Sequence, residues 1–519
     1  MKLKAKAKTK KISGTLFLIT VLALALTAAS CSPDNPDNKE TINTPLAETS
    51  DGDDGEIKNP AAENIKCPVP DDLDFGGQKV RFYNYYPEFD GNGNPDPARA
   101  AILDADTGDV VNDAIYKRNI EVQDKLNVTF EFIHSPPNAD DSLNNNIISR
   151  SVNAGLDEYD IVIGRQFQCV QLTANKIFAN IKDLPYLDIN NPWWAKKYIE
   201  DISIGGDVLM FVTGDISLAW LVRLSTVYFN KDLYTRNFGS PDDMYNTVLD
   251  GGWTLDALNG MVKTMYGDLN GNGAADDEDQ YGLIAHTISN TDHLTYASGI
   301  KATSRDENGL PYFSFNNEKT IRLTEKLYEL YYNNTGSLII PFSHSNFNNI
   351  FNEKFTAGEV LFRLDILGNS ETLRSMQTDF GMIPYPKLDA REPSYLSLVH
   401  DTAPLMCIPQ TCAQDELVGA VLEEMAFRGY LHMTPAFFDI ALKNKYMRDS
   451  DDKAMQCLDL IRENSTTDFA YVYNYALNNM GLIMRDLMGK KSSDFVSAYE
   501  KIEDKANASL QKIIDTYIN

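Results

Sequence analysis

The chain is poor in several things that would have narrowed its function at once. Six Cys occur in 519 residues, and after Cys31 the remaining five (Cys67, Cys169, Cys407, Cys412 and Cys457) are an odd number with no CxxC pair. Neither a zinc site nor a disulfide framework is indicated, and isolated buried thiols are expected. The six His are scattered without an HExxH, and there is no Walker A loop and no GxSxG elbow, so metalloprotease, P-loop and α/β-hydrolase chemistry lack their usual signatures. Basic residues are scarce: 47 Lys and Arg face 74 Asp and Glu, for a formal charge of −27. That sign repels phosphate backbones and excludes nucleic acid as a partner. Beyond the first 30 residues no stretch approaches the roughly 20 apolar residues of a membrane span.

What is present begins with an export signal. Six Lys between Lys2 and Lys11 precede an apolar run from Thr15 to Thr27 and then small residues, the three-part pattern of a secretory leader. Ala28-Ala29-Ser30-Cys31 resembles a bacterial lipobox, with Ala28 where Leu is usual, so residues 1–30 are expected to be removed and Cys31 to carry lipid. The protein would then sit at the extracellular face of the cytoplasmic membrane, anchored by that lipid. Residues 32–66 hold nine acids, three Lys, four Pro and no aromatic residue, too little apolar surface to offset chain ordering. Residues 31–76 therefore read as the lipidated Cys and a disordered acidic linker.

An α/β pattern follows. Lys79–Tyr83 reads as a strand; Val111, Ile115, Arg118 by its stem, Val122 and Leu126 recur at helical spacing; Val128, Phe130 and Phe132 alternate as a second strand. A helix over 143–154 leads to Tyr159-Asp-Ile-Val-Ile163, an apolar run suited to a strand buried on both faces. Strand, helix, strand, helix, strand implies a parallel sheet with right-handed crossovers. Further strands are expected at Leu209–Thr213 and Ser225–Phe229, and a helix after Trp253-Thr254. Thr411-Cys-Ala-Gln414 has the form of a capping box for another. Near the end, Phe495, Tyr499, Ile502, Ala506, Leu510, Ile513 and Tyr517 form one apolar helical stripe.

Tyr159–Ile163, Asp183-Leu-Pro-Tyr-Leu-Asp188 with Pro192-Trp-Trp194, Tyr228-Phe-Asn-Lys-Asp232, Phe355-Thr-Ala-Gly-Glu359, Phe380-Gly-Met-Ile-Pro-Tyr-Pro-Lys387 and Thr434-Pro-Ala-Phe-Phe438 stand in a telling order. This order resembles extracellular solute-binding lipoproteins of bacterial ABC importers, in the carbohydrate-binding, maltose-binding-protein-like branch. The resemblance implies an α/β type II periplasmic-binding-protein fold with two lobes, a hinge and an interlobe cleft. By it, residues 77–220 with 404–455 would form the N-terminal lobe and 225–400 with 456–519 the other, the chain crossing near 215–227 and 395–403. It implies capture of a carbohydrate, an oligosaccharide above all, and delivery to permease subunits by a monomer that breaks no bond. A surface glycoside hydrolase, with two carboxylates about 5–10 Å apart across a groove, is the reading from another class. A dockerin-like scaffold would need a second calcium loop, which is missing; the same fold holding a peptide or other small solute is the remaining alternative.

Sugar sites combine aromatic platforms with paired donors and acceptors. Ligands of open α/β sheets collect outside the carboxyl ends of strands, which points to Tyr85, Arg165 and Gln166. Trp253 opens a helix that can reach a cleft, and the resemblance places Asp215, Trp220, Asp365 and Tyr395 near the crossings. Asp268-Leu-Asn-Gly-Asn-Gly-Ala-Ala-Asp-Asp-Glu-Asp279 reads as a structural Ca²⁺ loop. Its oxygens would come from Asp268, Asn270, Asn272, the Ala274 carbonyl, Asp276 and Asp279, with Asp277 as a substitute for the short twelfth arm.

Overall fold

Alternation of apolar and polar residues in 79–83 and 128–132, and the apolar run 161–163, set up the first of two sheets. The computed structural model describes residues 65–85, 110–136, 140–344, 346–438, 442 and 452–518; the leader, Cys31 and most of the acidic linker lie outside these. β1 (Gln78–Asn84), β2 (Val128–His134) and β3 (Ile161–Arg165) pair in parallel, β1 in the middle. The helices between them, Val110–Leu126 and Asp141–Asn153, are the crossovers that parallel pairing demands. Asp140 caps the second by accepting the Leu143 N–H at 2.8 Å. A fourth strand, β12 (Pro404–Cys407), arrives from 240 residues further on and adds antiparallel to β3.

The second sheet has the order β10-β4-β9-β5-β8. β5 (Tyr281–His286) lies parallel to β8 (Ser337–Ile340) and to β9 (Val360–Ile366). β4 (Ser225–Asn230) runs antiparallel to both β9 and β10 (Phe380–Ile383). Every residue of β4, β5 and β9 is buried, as a sheet covered on both faces requires. Two short ladders complete the set: β6 (Thr303–Arg305) with β7 (Pro311–Phe313), and β11 (Ser397–Leu398) with β13 (Ser465–Thr466).

The chain passes between the sheets where Leu224 pairs antiparallel with Val399, and the His400 N–H donates to the Arg223 carbonyl at 2.9 Å. Two neighbouring crossing segments of this kind are where a hinge rotation would be absorbed.

Local readings fare unevenly. Thr254 caps Leu255–Lys263, accepting from the Ala257 N–H at 3.2 Å. Leu209–Thr213 forms only an isolated bridge, Val212 to Met406, and not a strand. The capping box at Thr411–Gln414 does not form. The helix starts at Asp415, the Thr411 hydroxyl donates to the Leu156 carbonyl, and the Gln414 amide is drawn to the buried Asp160 carboxylate at 3.1 Å. Arg118 is buried to its tip, its guanidinium donating to the Ile216 carbonyl and the Asn119 side chain; burial lowers its pKa to about 9. The terminal stripe is two helices, Phe495–Glu500 and Glu503–Ile518. The five described Cys are all free thiols; Cys407 has Cys169, not Cys412, as its thiol neighbour.

Candidate functional site

β5 and β9 are parallel neighbours, so their carboxyl ends open on one edge of the second sheet, and both crossing segments pass there. A cleft of about 490 Å³ occupies that edge. β5 contributes His286 and β9 contributes Arg363, Asp365 and Ile366; the crossings add Arg223 and His400 to Thr402; the helix Ser289–Ala297 adds Asn290 and His293. Phe342 and the helix Phe347–Thr356, which follow β8, close one side.

That side is aromatic because Phe347 and Phe351 are one helical turn apart and share a face. Their rings stack at 5.5 Å and 22°, Phe342 meets Phe347 at 5.0 Å, and the His286 ring lies 5.5 and 5.6 Å from Phe347 and Phe351. Phe342 is 60% exposed, an apolar ring left at a rim.

The charged side is pre-bonded. Arg363 and Asp365 are two apart on β9 and so project together; the guanidinium meets the carboxylate through Nε at 2.6 Å and through its second nitrogen at 2.5 Å, and sits 4.8 Å over the Phe351 ring. The other Asp365 oxygen accepts from the Ile366 N–H at 2.9 Å and the Asn369 amide at 2.5 Å. Asp401 lies 3.0 Å from His400 Nδ1 and 3.3 Å from Arg485. Burial alone would raise its pKa, but His400 and Arg485 hold it well below the usual carboxylate range. His286 is pushed down to about 3 by burial, with His400 and Arg485 adding to the effect; His293 is displaced far below its usual value for the same first reason. Both rings are neutral at neutral pH.

Of the ligand contacts expected from sequence, Asp365 lines this cleft. The others are placed elsewhere. Tyr85 is buried, its hydroxyl donating to Asn145 at 2.8 Å beside Tyr83. Arg165 ends β3, and Gln166 is a brace beneath the second crossing, its amide donating to the His400 carbonyl at 2.7 Å while Tyr198 donates to its oxygen. Asp215 is buried with Arg462 at 3.9 Å, and burial lifts its pKa to about 6. Trp220 packs edge-on against Tyr198 at 4.8 Å. Trp253 is fully buried, donating to the Pro384 carbonyl at 2.9 Å and packing on Phe362. The Tyr395 hydroxyl accepts the Trp253 N–H at 3.1 Å under Lys387. Tyr85, Trp220, Trp253 and Tyr395 are all held in the buried core. Sequence reasoning passed over His286, His293, His400, Arg223, Arg363 and the three Phe. One signal was available: the stretch after β8, His344-Ser-Asn-Phe-Asn-Asn-Ile-Phe351, mixes aromatic and amide side chains just past the carboxyl end of a parallel strand.

The acidic loop folds as a tight turn. Asp268 accepts the Gly271 and Gly273 N–H groups at 2.7 and 2.9 Å, and both glycines have φ above +70°. The Asn270 and Asn272 amides converge on Asp276, and the Ala274 N–H donates to Asn272. Asp279 is already committed: buried, it accepts from Leu269 N–H, Asp276 N–H and the Tyr266 hydroxyl. Asp277 stays exposed.

No family model matches the chain, and no curated protein matches it in sequence. Solved structures do. UgpB from Mycobacterium tuberculosis, in complex with glycerophosphocholine, aligns over 85% of this chain and all of its own at 13% identity and a TM-score of 0.53. A cyclo/maltodextrin-binding protein complexed with maltotetraose aligns over 85% of this chain and 98% of its own, at 12% identity and 0.51. The galacto-N-biose-/lacto-N-biose I-binding protein of the ABC transporter from Bifidobacterium longum, complexed with lacto-N-biose, covers 83% and 98% at 9% identity and 0.52. The fold is that of the two-lobed solute-binding proteins. Open α/β sheets offer a crevice outside the carboxyl ends of their strands, and the cleft lies at such an edge. Among the described residues no helix is long and apolar enough to cross a membrane.

Proposed function

We propose that the chain is the substrate-binding component of an ABC importer, capturing a carbohydrate outside the cell and releasing it unchanged to permease subunits. One observation carries this reading: an aromatic wall of Phe342, Phe347 and Phe351 faces amide, guanidinium and imidazole groups across a cleft at the hinge. A pyranose offers the matching surfaces, a C–H face for the rings and hydroxyls for the polar side. The similar structures hold a glycerophosphodiester and oligosaccharides, ligands of that size and polarity. Closure of the lobes on the ligand would be limited by its differential affinity for the closed state.

Binding without hydrolysis is supported by the state of the two cleft carboxylates. A glycosidase needs one carboxyl kept protonated as general acid; Asp365 is saturated by four donors and Asp401 is held ionised. Anchoring through lipidated Cys31 belongs to the same reading, supported by the leader and the acidic linker, and the receptor is read as a monomer. The loop of Asp268, Asn270, Asn272 and Asp276 would hold a structural Ca²⁺ through hard oxygen ligands, with Asp279 bracing the loop from behind.

Isothermal calorimetry with a panel of oligosaccharides tests the central claim. Stoichiometric binding with no release of reducing ends is the expected result; turnover, or silence across saccharides together with peptide binding, would overturn it.

A further inference from the structure

The hydrogen-bond inventory of the cleft is lopsided. Arg363 is 1% exposed, spends Nε and one terminal nitrogen on Asp365, and leaves its other terminal nitrogen with no partner among the described residues. His293 is equally buried. Its Nδ1 faces the Tyr385 hydroxyl at 3.2 Å, and that hydroxyl also receives the Asn290 amide at 3.4 Å. With its oxygen engaged by Asn290, the hydroxyl donates to Nδ1, so the network assigns the imidazole proton to Nε2. His293 Nε2 has no partner either. Two buried donors thus stand unanswered in one cleft, each at a cost in stability until an acceptor arrives.

The two cleft carboxylates are used up. All four lone-pair directions of Asp365 are taken, and Asp401 is shared between His400 and Arg485. A neutral hydroxyl brings a donor along with each acceptor, and its donor meets no open carboxylate here. A carboxylate or a phosphate brings acceptors alone. Arg223 and Arg363 balance Asp365 and Asp401 on the lining, so the cleft escapes the overall charge of −27 that repels anions at a distance.

Resting on the carbohydrate reading above, we propose that the cleft selects an acidic saccharide. Its anionic substituent, a carboxylate or a phosphate, is met by the unspent ends of Arg363 and His293, with a sugar ring against Phe347 and Phe351. Arg363 and His293 determine specificity; the rings supply affinity common to any saccharide.

The test is calorimetric titration of the full chain with trigalacturonic acid, its methyl ester, maltotriose, and glucose 6-phosphate against glucose. The free acid should bind at least tenfold more tightly than the ester, with the preference shrinking as salt is raised. The phosphate arm tells which anion the site takes: preference for glucose 6-phosphate over glucose without preference for acid over ester assigns phosphate, and the reverse assigns carboxylate. His293→Phe should lower acid affinity more than ester affinity. Because the acid and ester comparison is made on the unaltered chain, it stands even where a variant misfolds. Ester binding as tight as acid, together with glucose binding as tight as its phosphate, overturns the proposal and leaves the carbohydrate reading intact. Failure of every saccharide overturns both.

Discussion

Glu423 offers the sharpest test of how the first lobe is held together. It sits on the helix Asp415–Arg428 with no exposed surface, and its carboxylate collects four donors. One oxygen accepts from the Asn191 amide at 2.6 Å and the Trp193 indole at 3.0 Å; the other accepts from the Trp194 indole at 2.8 Å and the Asp188 N–H at 3.3 Å. Both indoles are buried, so neither has water to fall back on, whereas Asn191 is half-buried and Asp188 exposed. Glu423→Leu strands the two indoles, and at about 1–3 kcal/mol per buried unpaired donor the loss is about 4 kcal/mol. Glu423→Gln keeps one acceptor oxygen and turns an NH₂ toward the other pair, for about 2 kcal/mol. If the lobe unfolds as its own unit, the Leu variant should melt about 8–16 °C lower, the Gln variant about half that. Intrinsic fluorescence is the assay, since two of the chain's four Trp are the donors themselves. Burial also lifts the Glu423 pKa to about 7, against the pull of its four donors. A carboxyl raised in the folded state stabilises fully below its unfolded value of about 4.5 and loses that contribution as pH rises through about 7. Melting of the unaltered chain should fall across that window and the Gln variant should lose the slope. A Leu variant within about 1 kcal/mol of the parent would refute the claim that this carboxylate ties the Pro192-Trp-Trp194 segment to the helix.

His286 has the opposite sign: with its pKa pushed down to about 3, its contribution is complete above about 6.5 and is lost as pH falls toward 3, so His286→Phe should flatten the acid limb of a melting profile. Phe351→Ala removes a ring that stacks with Phe347 and underlies Arg363; it should weaken saccharide binding by about 10–100-fold in calorimetry while the second lobe still melts cooperatively. Calcium should raise the melting temperature and a chelator lower it, and Asp268→Ala should abolish the difference; indifference of the parent chain to both refutes the loop site.

The first sheet was legible because its information is local: alternation in 79–83, helical spacing from Val111 to Leu126 and the apolar run Ile161–Ile163 each lie within one element, and the intervening helices then imply that β1, β2 and β3 pair in parallel. The late strand β12 obeys no such rule, since antiparallel addition from residue 404 depends on where the chain returns after crossing. The cleft is harder still. Its lining comes from segments around 223, 286–293, 342–352, 363–372 and 400–402, joined only by the tertiary fold. Composition also misdirects the search for platforms. Trp is the first residue type sought in a sugar site, yet all four Trp here are buried, and three of the indoles donate to buried acceptors: Trp193 and Trp194 to Glu423, Trp253 to the Pro384 carbonyl. A large ring with an N–H donor is as valuable for locking a lobe as for cradling a ligand. The rings left to face the cleft are Phe342, Phe347 and Phe351, which carry no polar atom to tie them into a lobe and whose exposed apolar surface a ligand's C–H face would cover.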